Sequence, residues 1–98
     1  RFQAMMDKLN GATQQEIQPE KAVDAVVEAY TISDKRKALI LGNLLMSGDH
    51  SRFGLVQAMT DTSHALDRTG DHEDASRFEE IGGELVQMDD SKFAALVG

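Results

Sequence analysis

The 98-residue chain contains no cysteine. That absence excludes disulfides, thiolate catalysis and any cysteine-bound zinc or iron–sulfur centre. Long apolar runs are missing as well. The longest, Ala38 to Gly42 with its neighbours to Met46, falls far short of a bilayer span, and no signal peptide or lipid anchor is readable. No membrane partner is expected, and a reducing, cytoplasmic location is compatible with the missing cysteines. Positive charge is scarce too, with 10 basic residues against 17 acidic ones and a net charge of −7. Division after Asp49 leaves six basic and seven acidic residues on one side and four basic and ten acidic on the other, so the excess negative charge sits in the C-terminal half. Binding a phosphate backbone requires cations in proportion to the phosphates neutralised, which makes the chain a poor nucleic-acid clamp by itself. Also absent are HExxH, a calcium loop, a phosphate-binding glycine loop and a dinucleotide fingerprint. No cofactor or metal is expected.

What the sequence does contain is helical periodicity. The apolar fraction of 41% and charged fraction of 28% are those of a folded domain. A chain of this size buries roughly 60–65% of its unfolded surface, so its core is thin. Phe2, Met5, Met6 and Leu9 repeat on one helical face, stopped by Asn10-Gly11. Pro19, the single proline, fits a first helical position, where its missing N–H costs nothing. Ala22, Val23, Val26, Val27 and Tyr30 then form one stripe, with Lys21, Asp24 and Glu28 outside it.

A third helix is expected after Ser33 or Asp34. Lys35 and Lys37 near its start oppose the helix dipole and suggest weak capping. Ala38, Leu39, Ile40, Leu41, Leu44, Leu45 and Met46 make this helix apolar over most of its circumference, which marks it as the central element. Gly42 lowers its propensity by about 1 kcal/mol, a cost that close approach of a partner helix can offset. Ser47-Gly48-Asp49 ends it. The next helix runs from about Ser51 to Leu66 and is closed by Arg68-Thr69-Gly70. Asp71 reads as the N-cap of a helix carrying Ala75, Phe78, Ile81, Leu85 and Val86, and a short segment from Ser91 to Val97 follows. The expectation is an all-α fold, a compact orthogonal or irregular bundle of five to six short helices in a single domain over 1–98. A start at Arg1, entering a helical pattern at once, suggests a piece of a longer protein.

Candidate sites are few. His64 lies within three or four residues of Thr60, Asp61 and Asp67, on one broad side of its helix, where an aspartate can orient an imidazole. A base or metal site would need further groups from His50, His72 or the acidic helix after Asp71. The simpler reading gives His64 a local structural role, and His50 and His72 read as exposed loop residues. Gly54, Ala58 and Thr62 form a small-residue strip that, with Gly82-Gly83, reads as a helix-packing seam. Thr60 is expected to bond back to a helical carbonyl. Met46, Met59 and Met88 are expected to fill core gaps.

SRFGLVQAMTDTSHALD, followed by FEEIGGELVQM, resembles the C-terminal part of an uncharacterised family of phage- and plasmid-encoded proteins. Gly54, Leu55, Ala58, Thr60, His64 and Gly82 carry the resemblance, which covers the last half of the chain. Gln57 stands where that family has asparagine, and Met59 separates Ala58 from Thr60. The resemblance implies a mobile-element setting and a longer protein involved in DNA metabolism, with the acidic half present here serving assembly.

The leading expectation is a non-catalytic helical interaction or oligomerisation domain. Its surface would comprise Phe2, Met5, Met6, Ile40, Gly54 and Ala58, and its partner would be a second copy or another part of the same protein. The alternative is an accessory domain of a nucleic-acid-processing protein, using Lys35, Arg36, Lys37 and Arg52 as a converged basic cluster. A metal-dependent hydrolase built on Asp61, His64 and Asp67 ranks third.

Overall fold

The computed structural model describes residues 16–97 and contains five helices there: α1 Pro19–Ala29, α2 Asp34–Ser47, α3 Arg52–Arg68, α4 His72–Gln87 and α5 Asp90–Val97. The all-α bundle expected from periodicity is the observed fold. Its only β pairing among these residues is a single antiparallel bridge between Glu16 and Ser51. Beside it, the Ile17 N–H donates to the His50 carbonyl at 2.7 Å, tying the strand-like entry of the chain to the α2–α3 loop. The expected helix over Phe2, Met5, Met6 and Leu9 lies outside the described residues.

α1 begins with Pro19 in its first turn and buries Ala22, Val23 and Val26, the stripe read from spacing. Its end is less ordinary. Thr31 adopts φ 53°, the left-handed region that a β-branched residue avoids. The Ile32 N–H closes the turn onto the Val27 carbonyl at 2.9 Å, and the Ile32 side chain is buried in the core. That hydrogen bond and buried contact follow the usual helix-terminating pattern, with threonine in the place glycine normally takes. Arg77 of α4 donates to the carbonyls of Tyr30 and Thr31, so a cation covers the negative end of α1.

α2 is capped by Ser33, whose hydroxyl accepts from the Arg36 N–H at 3.4 Å, and it ends on Gly48 at φ 71°. The dipole opposition expected from its basic start is corrected here, whereas the cap hydrogen bond is long, in keeping with the weak capping expected. Arg36 and Lys37 reach across to carboxylates on other helices rather than opposing the dipole unpaired, as described below. A second correction concerns its rank. α2 buries only Ile40 and Leu44 and lies at the edge of the bundle.

The central element is α3. It buries Arg52, Gly54, Leu55, Ala58, Met59, Thr62, Ser63 and Leu66, and it packs against α4 more extensively than any other pair, with α2 on another side. Four of those residues are small or hydroxylated, which lets neighbouring helices approach on both sides. The hydroxyls are satisfied: Thr62 donates to Ala58 O at 2.8 Å and accepts from Asn43 Nδ2 at 2.9 Å. Ser63 donates to the Ala75 carbonyl of α4 at 2.6 Å. Thr60 bonds back to Val56 O at 3.2 Å, as expected for a helical threonine. α3 stops in a Schellman turn, with Asp71 N to Leu66 O at 2.8 Å and Gly70 N to Asp67 O at 3.2 Å, Gly70 supplying φ 91°.

α4 buries Ala75, Phe78, Ile81, Gly82 and Leu85, and α5 returns to α1 with Phe93 and Val97 inside. Asp71 occupies the N-cap position of α4 without making a side-chain cap hydrogen bond. Its carboxylate is taken by Arg36 instead, which corrects the capping role read from the sequence. Among the described residues no helix is long and apolar enough to cross a membrane.

Candidate functional site

On an ideal helix each residue advances 100°, so positions three and four apart share a face. Ile40 and Leu44, the buried pair of α2, therefore point away from Lys35, Ala38, Gly42, Leu45 and Met46, with Leu39 at the border of that outer face. The outer face is exposed: Leu39 is 40%, Leu45 54% and Met46 88% accessible. Met46 does not fill a core gap. Of the three methionines assigned that role, Met59 is fully buried and Met88 partly buried against the core. Phe53, in the first turn of α3 just after the α2–α3 loop, is 52% accessible. Helix α2 is thus apolar on two opposite sides, and the described chain covers one of them.

The residues expected to form an interaction surface divide into two groups. Phe2, Met5 and Met6 lie outside the described residues. Ile40, Gly54 and Ala58 are buried inside the chain's own core and present no surface. The reason differs for each. Ile40 belongs to the covered stripe of α2. Ala58 faces inward from α3. Gly54 faces the loop before its own helix, where an added Cβ would stand 1.7 Å from the Asp49 carbonyl oxygen. The packing seam holds at Gly82, whose Cβ position is 3.7 Å from Met59 Cβ. It fails at Gly83, which meets nothing within 4 Å.

The basic cluster does not converge. Arg36 bridges Asp71 at 2.8 Å and Asp74 at 3.3 Å, fastening α2 to the start of α4. Lys37 pairs with Asp24 of α1, and that hydrogen bond holds its ammonium above the ordinary 10.5. Arg52 is 7% accessible. Its guanidinium donates from Nε to Leu85 O at 2.9 Å, from Nη1 to Asp90 Oδ1 at 2.9 Å, and from Nη2 to Met88 O. The guanidinium carbon lies 4.7 Å from the centroid of Phe93. One cation therefore satisfies the last carbonyls of α4, holds the first residue of α5 and stacks on an aromatic ring of that helix. Of the four cations in the cluster, Lys35 alone stays on the exposed outer face of α2.

The proposed histidine site is not assembled either. His64 is exposed, while Asp61 accepts from Gln57 Nε2 at 3.0 Å and Asp67 pairs with His72 Nδ1. His72, read as a loop residue, is the first residue of α4. Among the described residues no group of three or more His, Cys, Asp or Glu side chains could hold a metal ion.

Sequence reasoning missed the Arg52 clamp, although a signal was present. Arg52 falls in phase with Leu55, Met59 and Leu66 on the inward stripe of α3, a place where an arginine persists only if its donors are met. It also missed Ile17 and Ile32, isolated apolar residues outside any periodic run that are both buried. Comparison with known proteins finds no family model that matches the chain, no curated protein similar to it and no solved structure that matches it.

Proposed function

We propose that the chain is a helical interaction domain of a phage or mobile-element protein, acting by association rather than by catalysis, in the cytoplasm. The observation that carries this reading is the outer face of α2, which keeps Leu39, Leu45 and Met46 in water although the same helix already contributes Ile40 and Leu44 to the core. Apolar surface gains about 25 cal/mol for each Å² removed from water, so such a face is stabilised by a partner. The mobile-element setting rests on the resemblance of residues 51–88 described above. Self-association, or docking onto another part of the same polypeptide, are the two modes this face serves.

The alternative reading, an accessory domain of a nucleic-acid-processing protein, needs four cations on one surface, and three of them hold the fold together. It predicts salt-sensitive binding of a short oligonucleotide, and no binding at low salt removes it. The interaction reading is tested by the solution mass of the 98-residue chain, measured by light scattering over a tenfold concentration range with and without Leu45→Glu. A mass that rises with concentration and falls back in the variant supports self-association. A constant monomer transfers the face to a different partner.

A further inference from the structure

We infer that the outer face of α2 pairs with the same face of a second copy, antiparallel, about a two-fold axis passing at Gly42. This deepens the interaction reading and rests on it.

Gly42 is the first observation. It sits in the interior of a 14-residue helix, where glycine is less favourable than alanine by about 1 kcal/mol. Nothing in the described chain asks for it: an added Cβ would meet no atom within 4 Å, and no positive φ is involved. Its counterpart Gly82 is explained by the helix packed upon it, with Met59 Cβ 3.7 Å away. The missing side chain at Gly42 leaves a flat place on the exposed face, where a second helix axis can come closer than the usual 8–10 Å.

The second observation is that the face is complementary to itself about that residue. In an antiparallel pair crossing at Gly42, residues equally distant on either side of it meet. Ala38 then faces Met46, a small side chain against a large one that is 88% exposed in the single chain. Leu39 faces Leu45, and both are large exposed apolar groups. Lys35 faces the end of the other α2, which stops at Ser47. An isologous interface requires this kind of self-matching patch.

Charge supports the choice of occupant. The chain carries −7 overall, yet the stretch from Ala38 to Met46 holds no charged side chain, so two copies meet here without a local clash. Lys35 of each copy also lies against the C-terminal end of the other α2, where the helix dipole favours a cation. One helix face is a small interface, and association on the order of micromolar or weaker is expected.

The test uses the full 98-residue chain and two substitutions at Gly42. Gly42→Leu places a bulky side chain on the axis while entering empty space in the monomer. The expected result is a loss of at least tenfold in association by light scattering, with a thermal midpoint of the single chain that is unchanged or raised. Gly42→Cys introduces the only thiol in the protein, and mild oxidation is expected to give a disulfide-linked dimer in high yield, whereas Glu28→Cys, on an exposed side of α1, stays monomeric. A dimer that survives Gly42→Leu and yields no cross-link at position 42 overturns the α2 pairing and leaves self-association through another face. A wild-type chain that remains monomeric to near-millimolar concentration overturns both.

Discussion

Arg52→Ala should be the most damaging single substitution among the charged residues of this protein, and its cost can be worked from the geometry. Truncation removes the donors to Leu85 O and Asp90 Oδ1, each at 2.9 Å, and the donor to Met88 O. It also removes the cation 4.7 Å from the Phe93 ring. A hydrogen bond from a charged donor contributes about 1.5–3 kcal/mol, and a buried carbonyl left without its donor costs about 1–3 kcal/mol. The Asp90 side chain is 71% exposed, so its ion pair is screened by water and adds little. A stacked cation adds about 0.5–2 kcal/mol. These contributions share one group and do not add, and because the Asp90 carboxylate stays in water no buried charge is left unpaired, so the carbonyl contacts set the loss at about 2–4 kcal/mol. Domains of this size are stable by about 5–15 kcal/mol, so the variant forfeits a large part of its margin. At about 4–8 °C per kcal/mol, the midpoint falls by roughly 8 °C or more.

Chemical denaturation followed by circular dichroism measures this loss, and a graded series identifies its source. Arg52→Lys retains the charge but lacks the planar fork, so it should lose about half as much. Asp90→Asn should cost below about 1 kcal/mol, because the pair is exposed on the carboxylate side. If Asp90→Asn proved as harmful as Arg52→Ala, the ion pair would be the operative contact and the carbonyl clamp would be wrong. A loss within about 1 kcal/mol for Arg52→Ala would refute the reasoning altogether. Hydrogen exchange adds a local readout, since Arg52→Ala should deprotect the α5 amides from Phe93 onward before those of α3.

Thr31→Gly should stabilise the protein by about 1 kcal/mol, because φ 53° strains a threonine and not a glycine; an unchanged or lower midpoint would show that the side chain compensates. Gly54→Ala should destabilise by about 2 kcal/mol or more, since its Cβ would lie 1.7 Å from a backbone oxygen, whereas Gly82→Ala, with its nearest atom at 3.7 Å, should be tolerated. Equal effects in calorimetry would contradict that contrast. Burial first, and then the Glu84 carboxylate, raise the Tyr30 phenol above 10.0, and the Asp24 hydrogen bond raises the Lys37 ammonium above 10.5. Both groups hold their protons more tightly in the folded state, so their contribution is complete below pH 10 and is lost as pH rises past their folded values. Stability measured between pH 9 and 12 should fall, with a shallower slope in Tyr30→Phe; parallel slopes would exclude Tyr30 as a source.

The sequence by itself determined the helices and most of their ends. Pro19, Gly48 and Gly70 restrict or permit backbone angles through their own covalent structure, and the α1 stripe is a matter of spacing; such information is local to a few residues. It could not determine which apolar side of α2 is covered. Ile40 and Leu45 have the same chemistry, and only the arrival of α1 and α3 on one side makes the first fully buried and leaves the second 54% exposed. Nor could it rank the helices, because apolar content favours α2, whereas burial follows closeness of approach and the small residues of α3 admit neighbours on both sides.

Charge followed the same division. Lys35, Arg36 and Lys37 are one run in sequence, but successive residues on a helix point 100° apart, so tertiary packing sends Arg36 to α4 and Lys37 to α1 and leaves Lys35 outward. Arg52 counts as a cation available to a ligand until α4 and α5 bring two carbonyls, a carboxylate and a phenyl ring around it. Periodicity is written residue by residue along the chain. The partner of a side chain is decided by other elements, 12 to 38 positions away for Ser63, Arg36 and Arg52, and the sequence carries no local mark of which one arrives.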